Sequence, residues 1–199
     1  MTLLSDEMLA CKTLQGELSA FEELVNRYKN LIFTIVYRMV GQYQEAEDIT
    51  QEVFITVFDK LYQFDSNKKF KPWIYKIATN TSISALRKKK KIITLNFDDT
   101  FSRQYENFRP DYSVDPEVMF ERQELKEFIN NAIIELPDNY RAVIVLRFQM
   151  DLTNQEIADV LGVTRENIEV KVHRARKALR KILIKKGEER GMKSELPAN

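Results

Sequence analysis

Arg165, Lys171, Arg174, Arg176, Lys177, Arg180 and Lys181 crowd into one stretch near the C-terminal end of the chain. At helical spacing, side chains of this type neutralise phosphates and reach groove edges. Just before them stand Ala158, Gly162 and Ile168. They are a small residue where two helices can touch, a glycine where the backbone can turn, and a branched apolar residue to lock the second helix on the first. Those are the requirements of a helix-turn-helix that reads duplex DNA. A second set lies in the first half. Tyr62, Phe64 and Phe70, with Asn67, Lys68 and Lys69 between them, make a loop of stacking rings, amides and cations. At about 100 degrees per residue, Trp73, Lys76, Asn80, Ser84, Arg87 and Lys91 then share one helical stripe. Rings beside a row of donors and cations suit unpaired bases and their phosphates. One chain thus offers a duplex reader and a single-strand reader.

Catalytic chemistry finds no footing. His173 is the only histidine and Cys11 the only cysteine, so no thiolate zinc site or intramolecular disulfide can form. No Gly-rich phosphate loop or nucleophile motif is present, and the carboxylates follow helix surfaces. Neither metal nor cofactor is expected, and the chain does not read as an enzyme.

Helices must position both sets. Only 5 Gly and 5 Pro occur in 199 residues, and aliphatic residues recur every three or four positions, which predicts an all-α protein. Ser19 and Glu22 have capping-box spacing ahead of a helix whose inner face is Phe21, Leu24, Val25, Tyr28, Ile32, Ile35, Val36 and Met39, ending at Gly41. A second helix from about Gln44 buries Ala46, Ile49, Val53, Val57 and Leu61, and leaves an acidic outer face. Pro72 suits the first turn of a third, with Phe70, Ile74, Ile77, Ala78 and Ala85 inward, running to the lysines at 88–91. Residues 92–115 have no periodicity and mix aromatic residues with Asp98, Asp99 and Glu106, as a flexible acidic linker would. Asp115-Pro116 starts a further helix with Leu125, Phe128, Ile129, Ala132, Ile133 and Leu136 inward, stopped by Pro137. Thr153 and Glu156 form a capping box, Gly162 ends that helix, and a long last helix has Ile168, Val172, Ala175, Leu179 and Ile182 inside.

The expected layout is therefore two small helical domains, 1–91 and 116–186, joined by the linker 92–115, with a frayed tail at 187–199. The net charge of +1 hides two basic regions, at Arg87–Lys91 and Lys171–Lys186. Early acidic residues argue against a signal peptide, and no apolar run spans a bilayer, so a cytoplasmic protein without membrane insertion is expected.

The same residues carry a resemblance. Glu45-Ala46-Glu47-Asp48-Ile49-Thr50-Gln51-Glu52-Val53-Phe54, then Phe70 through Asn80, then Leu136-Pro137 through Arg147, and last His173-Arg174-Ala175-Arg176, resemble in order the motifs of the extracytoplasmic-function sigma factors of the sigma-70 family. The likeness covers about residues 19 to 91 and 117 to 184. It implies a protein that brings core RNA polymerase, through its largest and second-largest subunits, to promoter DNA and helps open it, with an anti-sigma factor as a further partner. By that resemblance, Asp48, Gln51, Glu52, Thr56 and Asp59 dock on polymerase. Tyr62, Phe64, Asn67, Lys68, Lys69, Phe70, Trp73, Lys76, Asn80, Ser84 and Arg87 take the minus-ten element. Thr153, Arg165, Glu166, Asn167, Glu169, Val170, Lys171, His173, Arg174 and Lys177 read the minus-thirty-five element. The linker would thread toward the active-site and RNA-exit channel. Two departures stand out, Ser84 where the family often carries Asp, and Glu169 where it often carries a basic residue. A dimeric helix-turn-helix regulator binding an operator without polymerase is the rival reading. It leaves the ring-rich loop and basic stripe unexplained.

Overall fold

A buried stripe at every third or fourth position, closed by a left-handed glycine, defines the longest N-terminal helix in the computed structural model. The structure describes the backbone of residues 4–95 and 116–189, and the side chains of 4–91 and 124–189. Among the described residues there are α-helices and one 3-10 turn, with no strand.

Helix α1 (Asp6–Leu14) starts at Ser5, whose hydroxyl accepts from the Met8 N–H at 3.2 Å, and it buries Leu9, Ala10 and Thr13. Helix α2 (Leu18–Val40) buries Ala20, Leu24, Tyr28, Ile32, Ile35, Val36, Met39 and Val40. Its cap is Glu17, without a side-chain bond, so the box expected at Ser19 and Glu22 does not form: both lie inside the helix. At the other end Gly41 takes φ 83° and donates to the Tyr37 carbonyl at 2.8 Å. A residue with a Cβ would be strained there.

Helix α3 (Tyr43–Lys60) buries Ala46, Ile49, Val53 and Val57, and the 3-10 turn Leu61–Gln63 buries Leu61. Helix α4 (Phe70–Leu95) keeps Pro72 in its first turn, where the missing N–H costs nothing. It runs on to Leu95, four residues past the expected domain end at Lys91. The remainder of the expected linker, 96–115, lies outside the described residues, as do Asp98, Asp99 and Glu106.

Helix α5 (Pro116–Ile134) buries Phe128, Ala132, Ile133 and Ile134. Leu125 and Ile129, expected inward, are instead exposed. Helix α6 (Asp138–Phe148) has no polar face through its middle, and Arg141, Ala142, Val143, Ile144, Val145 and Leu146 are all buried. Helix α7 (Asn154–Leu161) carries the Thr153–Glu156 capping box as expected. Helix α8 (Arg165–Glu189) buries Ile168 and Ala175, with Val172, Leu179 and Ile182 half-covered. It continues past the expected tail boundary at 187.

Helix α2 is the axis of the packing. It meets α1, α3 and α4 along its length and α5 and α6 near its C-terminal end, while α7 lies against α4. One apolar cluster runs without a break from Leu9 to Ala175. Arg141 stitches the two halves of the chain together, donating to the Met39 carbonyl of α2, to Ile134 at the end of α5 and to Leu136 just beyond it. Lys90 of α4 reaches Asp138 of α6 at 2.8 Å.

Candidate functional site

The helix-turn-helix assembles as its residue types require. Thr153 Oγ1 accepts from the Glu156 N–H at 3.3 Å, and the Glu156 carboxylate takes the Thr153 N–H at 2.8 Å. That carboxyl is held below its usual range, first by the Thr153 N–H and then by the Thr153 hydroxyl. Ala158 is buried at the helix contact, Gly162 turns the chain at φ 66°, and Val163 donates back to Ala158. Thr164 Oγ1 then accepts from the Asn167 N–H at 3.3 Å, opening α8 with a second cap.

Beyond that cap, Arg165, Glu166, Asn167, Glu169, Val170, His173, Arg174 and Lys177 are exposed and Lys171 is partly covered. Three are not free to reach out unaided. Arg165 pairs with Glu169 at 3.2 Å across one turn. Glu166 turns back on its own N–H and the Thr164 hydroxyl, in that order of weight, and its carboxyl is held below the ordinary range. Glu166 therefore already serves the helix start. Val170 has no such tie and is half exposed.

On α4 the expected stripe is present. Lys76, Asn80, Ser84, Arg87 and Lys91 are exposed along one face, with Trp73 half-buried at its head. The loop before it divides in two. Tyr62, Asn67, Lys68 and Lys69 face outward. The Asp65 carboxylate shapes this outer part, accepting from the Asn67 N–H and side-chain amide at 3.1 Å each.

Phe64 and Phe70 go the other way. Phe70 is fully buried and Phe64 nearly so, and their rings meet edge to face at 5.3 Å. Trp73 packs against both, at 5.3 Å and 5.6 Å. In this conformation neither phenylalanine is open to a base, because both side chains are buried. They form the floor of the loop, and Tyr62, 72% exposed, is its open ring.

On α3, Asp48, Gln51, Glu52 and Asp59 are exposed and Thr56 is partly so. Interleaved with them is an apolar set the sequence reading passed over. Ile55 is 63% exposed and Phe58 45%, so Asp48, Glu52, Ile55, Asp59 and Tyr62 line one face. The signal was available in the spacing of Ile55 and Phe58, which fall off the buried stripe. Among the described residues no group of His, Cys, Asp and Glu could hold a metal, and no helix is long and apolar enough to cross a membrane.

Residues 24–92 match the family Sigma-70 region 2, and residues 129–179 match Sigma-70, region 4. The chain is 39% identical over 172 residues to the ECF RNA polymerase sigma factor SigW of Bacillus subtilis, covering 85% of this chain and 91% of that one. The chain belongs to the ECF RNA polymerase sigma factors. The ECF RNA polymerase sigma-E factor of Escherichia coli is 28% identical to this sigma factor, with 88% and 93% of the two chains covered. Two solved structures share its fold. CnrH, determined with the cytosolic domain of CnrY, superposes with TM-score 0.65 at 24% identity, over 89% of this chain and 96% of that one. RpoE of Bartonella quintana, determined with the anti-sigma factor NepR, gives 0.66 at 18% identity, over 82% and 96%. The first family match ends close to the end of α4, and the second begins within α5.

The two DNA-reading candidates touch in this sigma factor. Lys76 Nζ lies 3.9 Å from where a Cβ on Gly162 would stand, so the head of the α4 stripe meets the turn of the helix-turn-helix. Lys71 is close enough to Glu156 for its charge to be felt there.

Proposed function

We propose that this sigma factor directs core RNA polymerase to promoters by reading the minus-thirty-five element with α8 and the minus-ten element with the outer loop and α4 stripe, and that its α3 face docks on polymerase. The observation that carries the reading is the exposed, uninterrupted stripe of Lys76, Asn80, Ser84 and Arg87 in the same chain as a well-formed basic helix-turn-helix. A dimeric operator binder would need only the second. Energy also argues for a polymerase partner. Unstacking about ten base steps at about 1.4 kcal/mol each costs more than about 10 kcal/mol. One open ring and a half-covered Trp73 return about 1–3 kcal/mol each. Of the two structures that share its fold, CnrH was solved with the cytosolic domain of CnrY and RpoE with the anti-sigma factor NepR. An anti-sigma partner is accordingly proposed for this chain too.

The direct test is reconstitution. The purified chain mixed with core polymerase should co-elute on gel filtration and support run-off transcription from a selected promoter, and transcription without dependence on the chain would sink the proposal. Within that assay Asn80→Ala, on the exposed stripe, should slow opening about fivefold to tenfold while closed-complex affinity holds, a loss in the range of one base contact. Permanganate reactivity of unpaired minus-ten thymines separates the steps. Opening at the wild-type rate would remove Asn80 from the site.

Sequence choice at the minus-thirty-five element makes a second test. Early positions of a recognition helix enter the major groove, and later ones follow the phosphates. Val170, half exposed and untied, can pack on a thymine methyl. Val170→Ala should relax one base position at a cost of about 1–3 kcal/mol, whereas Lys177→Ala should weaken all sites alike and flatten the salt dependence. Glu166→Gln should relax a second position if its carboxylate leaves the Thr164 cap to accept from a cytosine. Selection from randomised minus-thirty-five DNA measures all three, and identical logos for Val170→Ala and Lys177→Ala would overturn this assignment of readers.

A further inference from the structure

Helix α4 begins at Phe70 with a cap that cannot serve it. The first four N–H groups of a helix have no partner within it. The residue before Phe70 is Lys69, whose ammonium can only donate, and Pro72 has no N–H. The acceptor comes from 63 residues away. Glu7 Oε1 in α1 accepts from the Phe70 N–H at 3.2 Å. Burial alone would raise the Glu7 carboxyl, but bonds from its own N–H, the Phe70 N–H and the Ser5 hydroxyl, with the charge of Lys69, outweigh that and hold it below the ordinary range. Its charge also sits where the α4 dipole favours an anion.

The neighbouring carboxylate holds the other side of the same junction. Asp6 accepts from the Tyr28 hydroxyl at 2.6 Å and from Arg27 at 2.8 Å, and Arg27 also donates to the Leu4 carbonyl. Tyr28 meets Phe70 edge to face at 5.5 Å. Burial and the Asp6 carboxylate, in that order, push the Tyr28 hydroxyl well above its usual range, so it stays a donor. Helix α1 also touches the 3-10 turn at the start of the loop. The consecutive Asp6 and Glu7 therefore reach the buried ring and the backbone on which Trp73 and the outer loop rest. Both lie before residue 24, where the match to region 2 begins.

We infer that Glu7, backed by the Asp6–Tyr28 bond, is a positioning residue for minus-ten recognition: it fixes the first turn of α4, and with it the attitude of Trp73 and Lys76, from a helix outside the matched domain. This rests on the proposed reading of the minus-ten element by α4. Glu7 touches no DNA in this scheme. Its contribution is to keep the reader in one orientation, so that binding an unstacked base does not first have to order the helix end.

The test uses full-length chain in holoenzyme with three variants. Glu7→Ala removes the acceptor, Glu7→Gln keeps an acceptor oxygen without the charge, and Lys76→Ala probes the reading itself. Each is measured for affinity to core, for opening of a duplex promoter by permanganate, and for run-off from a promoter already unpaired at minus ten. Circular dichroism melting checks the fold, which Leu9 and Ala10 continue to anchor in every variant. Glu7→Ala should slow duplex opening about fivefold, the scale of a lost helix cap. Core affinity and transcription from the pre-opened template should stay within about twofold of wild type, and Glu7→Gln should recover at least half of the loss. Wild-type opening by Glu7→Ala overturns the inference. So does an equal loss in core affinity and pre-opened transcription, which marks a general fold defect, and so does a Glu7→Gln variant no better than Glu7→Ala. If Lys76→Ala and Asn80→Ala both open DNA normally, the minus-ten reading has failed and the inference falls with it. If Lys76→Ala is slow and Glu7→Ala is not, only the inference fails.

Discussion

Arg141→Met is expected to lower the unfolding free energy by about 3–5 kcal/mol, the scale for removing one partner of a buried charged network. Arg141 is 4% exposed and gives its guanidinium to the carbonyls of Met39, Ile134 and Leu136. Asp138 lies 3.9 Å away and is itself paired with Lys90. Buried ion pairs can often be exchanged for apolar residues at no cost, because both charges leave together. That escape is closed here. The acceptors are backbone carbonyls, which stay behind at a buried position, and each unsatisfied one costs about 1–3 kcal/mol. Methionine fills much of the volume, so the loss measures hydrogen bonding rather than a cavity. Arg141→Lys should recover only part of it, since one ammonium cannot copy a planar fork that serves three oxygens. Urea unfolding followed by circular dichroism gives the number. A loss under about 1 kcal/mol would show that the carbonyls find other donors.

The second large effect concerns the α3 face. Exposed acidic residues alone make a weak interface, because surface ion pairs contribute about 0–1 kcal/mol. Ile55 and Phe58 change the estimate. They put apolar area at the centre of a rim formed by Asp48, Gln51, Glu52 and Asp59, the layout of an energetic hot spot. The double variant Glu52→Lys, Ile55→Ala should therefore bind core polymerase about a hundredfold more weakly, equivalent to about 2.7 kcal/mol. Its melting should hardly move, as both side chains are exposed. Phe58 is a poorer choice of target because its ring also packs on Phe21 at 5.0 Å. Fluorescence anisotropy with labelled chain and core measures the affinity. A change within twofold would take α3 out of the docking surface.

Much of this architecture is legible in the sequence because helical periodicity is a strong signal over long segments. The buried stripes of α2 and α3, the Thr153 box, the Gly162 turn and the exposed stripe of α4 all follow from spacing. What escapes depends on contacts between distant residues. Phe64 looks like a stacking group in a polar loop, and Phe70 reads both as one and as an inward residue of the third helix, yet Tyr28 of α2 and Trp73 enclose them. Helix α1 has nine residues and buries three, too few to announce itself. Its importance comes from Glu7 meeting Phe70. Arg141 sits in an otherwise apolar run, which marks it as unusual, but spacing cannot say that its partners are carbonyls on α2 and α5. Leu125 and Ile129 keep helical spacing and still lie outside, because periodicity identifies a face without saying what covers it.

The contact between Lys76 and the Gly162 turn has a consequence measured in genome occupancy. Elements centred about 25 base pairs apart lie about 85 Å apart along B-form DNA at 3.4 Å per pair. On the proposed reading, a chain with its two readers touching cannot span that distance, so both elements together engage only the fraction of molecules that have opened. Apparent affinity for the paired elements is multiplied by that fraction: one open molecule in about a hundred means about hundredfold weaker binding to duplex. A bacterial chromosome presents about a million or more competing nonspecific sites, on which a single reader can rest without a promoter. The basic face of α8 stays exposed while the readers touch, so on the proposed reading the contact withholds joint engagement of the two elements rather than nonspecific contact with DNA.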